Sequence, residues 1–389
     1  SGHHCLELLE RGNLDEPDAV GNVVRTVIEG LGIHFLHRRS ARADATPLIL
    51  THGWPGSIAE FIDIVDELAD PKEPGAPAFH VVAPSLPGFG YSDKPATTGW
   101  GAGKIAAAWV ELMERLGYDK FVAHGGDWGG VITTVLGGRY PAQVLGIHST
   151  LAQAPPGLTM DGLTEEEQKW AEDTRDFWLY RAAYAKQQAT RPQTIGYSLV
   201  DSPVGLLAWI LDKFAEWTDT DDSPFETISR DVILDDVTLY WLTRTGASAA
   251  RIYYESHGGV NTLDPRLRVD VPSAITIYPR DIEKCPRPWA EQRYRQIVRW
   301  RTAEKGTFSV ARGPRDFRQG LAGRPRGRVG CSSVNAAGPR KPKRSPKQPD
   351  TTRRASAVRW LFSSFRCCVD VGLWCGAELP SRLVVCVRL

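Results

Sequence analysis

His124-Gly125-Gly126-Asp127-Trp128-Gly129-Gly130-Val131 places a carboxylate inside a glycine-flanked turn. The preceding "DKFVA" (Asp119–Ala123) turns apolar from Phe121 and suits a strand, and "VITTVLGGRYP" (Val131–Pro141) continues as a helix. Small-x-Asp-x-small at such a junction permits a strained elbow that lifts one side chain above the C-terminal edge of a sheet. The N–H of Trp128 would then face the same space as an anion donor. The competing reading is a tight turn whose aspartate caps the helix that follows.

The flanking sequence repeats this strand-then-loop pattern. "TPLILTHGWPGS" (Thr46–Ser57) and "FHVVAPSLPGFGYS" (Phe79–Ser92) each run from an apolar strand into a Gly/Pro loop. "GKIAAAWVELMERLGY" (Gly103–Tyr118) has helical spacing and ends at Gly117. "VLGIHSTL" (Val144–Leu151) and "SAITIYP" (Ser273–Pro279) read as further buried strands, and "RTVIEGLGIHFLHRRS" (Arg25–Ser40) as a hairpin around Gly-Leu-Gly. Strands alternating with helices predict an α/β protein whose mainly parallel sheet is covered on both faces. Residues 152–259 break the alternation and read as a mostly helical cap inserted into this core. The core is thus expected over 24–151 and 260–308.

Charge divides the chain. Residues 309–389 hold 17 Lys+Arg and 4 Asp+Glu, net +13, leaving 30 basic and 42 acidic residues, net −12, in the rest. An acidic globular core gives no reason to expect nucleic acid. Of the seven cysteines only Cys5 and Cys285 precede the tail, and none has zinc spacing, so neither metal nor cofactor is expected. Low cysteine use in the core predicts a cytoplasmic compartment. No run of about 18 apolar residues is present, so no membrane association is expected. The opening segment, 1–23, starts without methionine or an apolar signal core and reads as truncated or altered.

Taken together, "HGWPGS" (His52–Ser57), "PGFGYSDKP" (Pro87–Pro95) and "GGDWGG" (Gly125–Gly130) resemble the α/β-hydrolase-fold epoxide hydrolases, in particular the microsomal-type branch and its bacterial relatives. Within the cap, "ATRPQTIGYSLVDSPVGLLAWILDKFAEWTD" (Ala189–Asp219) and "LYWLTRTGASAARIYYE" (Leu239–Glu255) carry the more specific resemblance, since haloalkane dehalogenases partly share the core loops. The likeness runs from about Val24 to Trp300. It implies Asp127 as nucleophile, Trp54 and Trp128 as backbone oxyanion donors, and Tyr184 and Tyr253 as the cap tyrosines that bind epoxide oxygen. It also implies Asp281, in "YPRDIEKCP", as the acid that orients a histidine. Tyr254 and Tyr240 are alternatives to Tyr253, and Tyr184 could instead be a half-buried cap aromatic. Asp281 could simply start a loop. His124 and His148 read as structural, and His52 as a brace for the "HGWPG" loop.

The implied chemistry is hydrolysis of an epoxide to a vicinal diol through an aspartyl ester. An epoxide has no carbonyl, so a carboxylate opens it by displacement at carbon. Two phenols can protonate the alkoxide, and water then cleaves the ester. A serine in place of Asp127 would leave a stable ether. The Trp and Leu content of the cap suggests an apolar or aromatic epoxide, in detoxification or secondary metabolism. The partners are therefore this substrate and water, and a homodimer stays open.

One element of the resemblance is missing. In this fold the base histidine follows the acid, yet all nine histidines lie at or before His257. The family's Gly-Gly-His-Phe falls on "EKGTFSV" (Glu304–Val310), where Thr307 takes the histidine's place. Threonine cannot take a proton from water near neutral pH. The sequence turns Arg/Gly/Pro/Ser-rich at the same point, and residues 309–389 read as a tail translated out of frame, with a disordered basic arm as the rival. Two other functions stay open: a haloalkane dehalogenase, and a stalled or non-catalytic relative.

Overall fold

The sheet is assembled around β3 (Thr46–Thr51), whose sequence TPLILT buries its last four residues. The computed structural model describes residues 22–220, 223–256 and 263–303. Before β3 lies the hairpin β1 (Asn22–Ile28) and β2 (Leu31–Arg38), and after it come β4 (Phe79–Pro84), β5 (Phe121–Gly125), β6 (Val144–Ser149), β7 (Ser273–Ile277) and β8 (Ile297–Thr302). Their order across the sheet is β1-β2-β4-β3-β5-β6-β7-β8. Among the described residues the β1–β2 and β2–β4 pairings are antiparallel; the other pairings are parallel. This is the α/β-hydrolase fold.

Two sequence expectations shift by a few residues. β1 starts at Asn22, ahead of the expected core boundary at 24. The hairpin turn is Glu29-Gly30, with φ 47° and 78°, and Leu31 already pairs with Ile28. A two-residue turn with positive φ at both positions matches the right-handed strand twist, so the Gly-Leu-Gly reading placed the turn one residue late.

Strand connectivity decides where a ligand can sit. The chain passes from β3 to β4 on one side, and then to β5 on the other side of β3. The connections therefore part above β3 and β5, which opens a crevice at their C-terminal ends. The loop Ser57-side of His52 and the turn at Asp127 both leave from that edge.

The helix Asp127–Arg139 behind β5 is buried along nearly its whole length, and Ala102–Arg115 packs beside it. Helices Glu165–Asp176, Ala183–Thr190, Pro192–Asp201, Pro203–Trp217, Arg230–Leu242 and Gly246–Glu255 form the insertion between β6 and β7. Pro192–Asp201 and Pro203–Trp217 meet at 117°, where Ser202 caps the second helix through Gly205 N and Pro203 supplies its first residue. Among the described residues no single helix is long and apolar enough to cross a membrane. Thr307, residues 1–21 and the 309–389 tail lie outside the described residues.

Candidate active site

Asp127 stands at the tip of β5 with φ 48°, a left-handed conformation that aspartate adopts more readily than most residues. Gly126, in extended geometry, is the N-cap of the following helix, and no side chain makes a capping hydrogen bond there. Asp127 is thus the first helical residue and not the cap, and its Oδ1 accepts from the Trp54 amide. The bend is tight enough to exclude side chains. A Cβ on Gly129 would lie 1.9 Å from the Thr51 carbonyl oxygen, and one on Gly53 would lie 2.3 Å from Asp127 Oδ1.

The loop after β3 reaches the same carboxylate. Trp54 N–H donates to Asp127 Oδ1 at 2.7 Å. His52 braces this loop: its Nδ1 faces Gly53 O at 2.9 Å, and its Nε2 accepts from Leu86 N at 3.1 Å. A neutral ring with its proton on Nδ1 satisfies both contacts, and burial lowers the His52 pKa to about 4. Burial also raises the Asp127 carboxyl to about 7, against the lowering effect of the Trp128 and Trp54 amides.

Opposite Asp127 the cap supplies aromatic rings. Tyr184 stacks on Trp54 at 5.2 Å and 11°. Tyr253 meets Trp128 edge-on at 4.9 Å and Tyr184 at 5.9 Å. Both phenols are pushed well above their usual range, by burial first; the Asp127 charge comes next for Tyr184, and Tyr184 followed by Asp127 for Tyr253. Both therefore keep their protons. Tyr253 Oη is close enough to Tyr184 and Trp128 to be perturbed by both, yet among the described residues neither it nor Trp128 Nε1 makes a well-formed hydrogen bond. These donors remain available to a ligand. Of the alternatives, Tyr254 is half exposed, and Tyr240 donates to Gly56 O at 2.8 Å, behind the loop.

The cavity lined by Asp127, Trp128, Val131, Leu151, Tyr184 and Tyr253 measures about 70 Å³. One water needs on the order of 15 Å³ by this measure, so the space suits a few waters or a small ring. Asp281 is buried beside it; among the described residues its Oδ1 has no hydrogen-bond partner, and burial and then Glu283 push the carboxyl well above its ordinary range. His124 and His148 stack on each other at 4.8 Å in neighbouring strands. His148 Nε2 contacts Thr276 Oγ1 at 3.0 Å, a structural setting.

Sequence reasoning missed Glu283 and its two partners. Its Oε1 accepts from Trp178 Nε1 at 2.6 Å and its Oε2 from Gln153 Nε2 at 3.1 Å. Trp178 belongs to a single π turn, Phe177–Arg181, of the kind that often marks functional sites. Gln153 is clamped through its backbone: its N–H donates to Tyr294 Oη at 3.0 Å, and its carbonyl accepts from buried Arg293 Nε at 2.9 Å. The one available signal was an acid two residues beyond Asp281 in a loop bounded by prolines.

Comparison with known proteins gives a consistent picture. Residues 46–228 match the model for the alpha/beta hydrolase fold, and residues 19–61 match that for the epoxide hydrolase N terminus. A putative epoxide hydrolase of Stigmatella aurantiaca is 46% identical over 291 residues, covering 74% of this chain and 66% of that protein. Epoxide hydrolase 1 of Sus scrofa is 32% identical over 317 residues, covering 74% of this chain and 70% of its own. This chain thus spans about two thirds of the length of these curated relatives. The crystal structure of juvenile hormone epoxide hydrolase from the silkworm Bombyx mori superposes with a TM-score of 0.70 at 30% identity, covering 77% of this chain and 76% of that one. The Aspergillus niger epoxide hydrolase structure gives 0.66 at 32% identity, with the same coverage.

Proposed function

Because the chain belongs to the epoxide hydrolase family of the α/β-hydrolase fold, we propose that it opens an apolar or aromatic epoxide by forming an ester on Asp127 and hydrolyses that ester to a vicinal diol. The observation that carries this reading is the asymmetric hold on the Asp127 carboxylate. Trp54 N–H fixes Oδ1, which leaves Oδ2 to attack a ring carbon on the cavity side.

As the Oδ2–carbon bond forms, the ring C–O bond breaks and its electron pair goes to the epoxide oxygen. Tyr184 or Tyr253 gives that oxygen its proton, and the other phenol hydrogen-bonds it. Burial keeps both phenols protonated until then. In the second step water attacks Asp127 Cγ. The carbonyl oxygen, already at Trp54 N–H, takes the negative charge, and the Trp54 and Trp128 amides stabilise it, each worth on the order of 3 kcal/mol. The apolar walls, with Val131, Leu151 and Trp178, support an apolar substrate.

Incubating the chain with an aryl epoxide and recording intact mass tests this. The expected result in rapidly quenched samples is an increase of one substrate mass, located on Asp127 and absent from Asp127→Ala. An adduct that survives in Asp127→Ala would require another nucleophile.

A further inference from the structure

Ester hydrolysis needs a group that takes a proton from water, and no histidine follows His257 in this sequence. Glu283 occupies the wall of the cavity that holds Asp127, and its carboxylate is held from both sides by Trp178 Nε1 and Gln153 Nε2. We propose that Glu283 is the catalytic base that activates the hydrolytic water; the assignment rests on the Asp127-ester reading above.

Three features support it. First, the carboxylate is pre-oriented. Both oxygens have a fixed N–H donor, and the donors are themselves anchored, Trp178 by the π turn and Gln153 by Tyr294 and Arg293. Each oxygen keeps a further lone pair to accept a proton from water.

Second, Glu283 and Gln153 also line a second cavity of about 230 Å³, whose wall includes Thr174, Lys284 and Trp289. Water can therefore stand on one side of Glu283 while an apolar substrate fills the other. The two cavities share these two residues as a common wall.

Third, the charges favour the correct order of events. Glu283 raises Asp127, Asp281 and Tyr184, so the free site disfavours full ionisation of its carboxylates. Esterification removes the Asp127 charge, and Glu283 is then relieved of one neighbour as it becomes the base. Among the described residues, the ionisable groups around it are Asp127, Asp281, Tyr184, Tyr253 and Lys186 along its cavity, with Lys284 and Cys285 beside it.

The step balances. Glu283 takes one proton from water while the oxygen bonds to Asp127 Cγ. The tetrahedral oxyanion collapses and breaks the bond to the alkyl oxygen, which receives the proton from Glu283 and leaves as diol. The second water proton remains on the Asp127 carboxyl and returns to the phenolate left by ring opening.

The test uses the full chain, styrene oxide and rapid-quench intact-mass spectrometry in ¹⁸O-water, with Glu283→Gln and Glu283→Asp alongside. The unaltered chain is expected to form diol over repeated turnovers and to gain solvent ¹⁸O in Asp127. Glu283→Gln should still acquire the adduct, which reports a folded elbow, but hold it about a hundredfold longer and without label. Its adduct formation should also persist to lower pH, since the charge that raises Asp127 is gone. Glu283→Asp should recover part of the hydrolysis. An equally long-lived adduct in the unaltered chain and Glu283→Gln, or equal diol formation by both, would overturn the role of Glu283 and leave ring opening intact. Absence of both adduct and diol from the unaltered chain would remove the Asp127 reading as well.

Discussion

Replacing Asp127 with asparagine should make the protein more stable, by an amount that grows with pH. Burial holds the Asp127 carboxyl at about 7, against an ordinary value of 3.8. Each pKa unit is worth about 1.36 kcal/mol, so the ionised carboxylate costs the folded state about 4 kcal/mol. A raised folded pKa means the fold prefers the protonated form. The stabilisation is therefore complete below the unfolded value of 3.8, is lost as pH rises, and is gone above about 7. Asparagine does not titrate, tolerates the left-handed φ of 48° and keeps an acceptor for Trp54 N–H. Between pH 5 and pH 8 the unaltered chain should thus lose about 2.5 kcal/mol relative to Asp127→Asn. Asp236, also raised to about 7 by burial, is present in both proteins and drops out of the difference. Urea unfolding of the two proteins across this range measures the effect. Parallel stability curves would mean that Asp127 ionises in the ordinary carboxylate range, and the account of a desolvated nucleophile would fail.

Other outcomes follow from the same geometry. Tyr184→Phe and Tyr253→Phe should each slow adduct formation by about tenfold to a hundredfold, and the double variant far more, as each removes one proton donor from the alkoxide; unchanged alkylation in the double variant would revive the dehalogenase reading, which a bromoalkane assay would then check. Gly129→Ala should destabilise the chain by about 3 kcal/mol or more, read as a lower unfolding midpoint, because its Cβ would fall 1.9 Å from the Thr51 carbonyl. The alkylation rate of the unaltered chain should halve near pH 7 and fall about tenfold for each pH unit below, following the ionised fraction of Asp127.

Local chemistry made much of this protein legible in its sequence. Alternating apolar strands and helices specify a parallel sheet, and the Gly-Gly-Asp-Trp-Gly elbow can be read because only glycine fits where backbone meets backbone at Thr51. "HGWPG" could be read for the same reason, since Trp54 must bring its N–H to a carboxylate 73 residues away. Among Tyr240, Tyr253 and Tyr254 the family resemblance favoured Tyr253, but local sequence did not by itself exclude the other two. All three lie in or beside the helix pair Arg230–Leu242 and Gly246–Glu255, and only packing turns Tyr253 into the cavity, Tyr240 onto Gly56 and Tyr254 outward.

Glu283 marks the same limit. In sequence it is one acid in a polar loop, with nothing periodic around it. Its importance comes from Trp178, over a hundred residues earlier in a π turn, and from Gln153, fixed by Tyr294 and Arg293. Burial, dielectric and the approach of distant donors are properties of the assembled fold. Side-chain spacing along a chain does not encode them, so tertiary structure alone could set a carboxylate against Asp127.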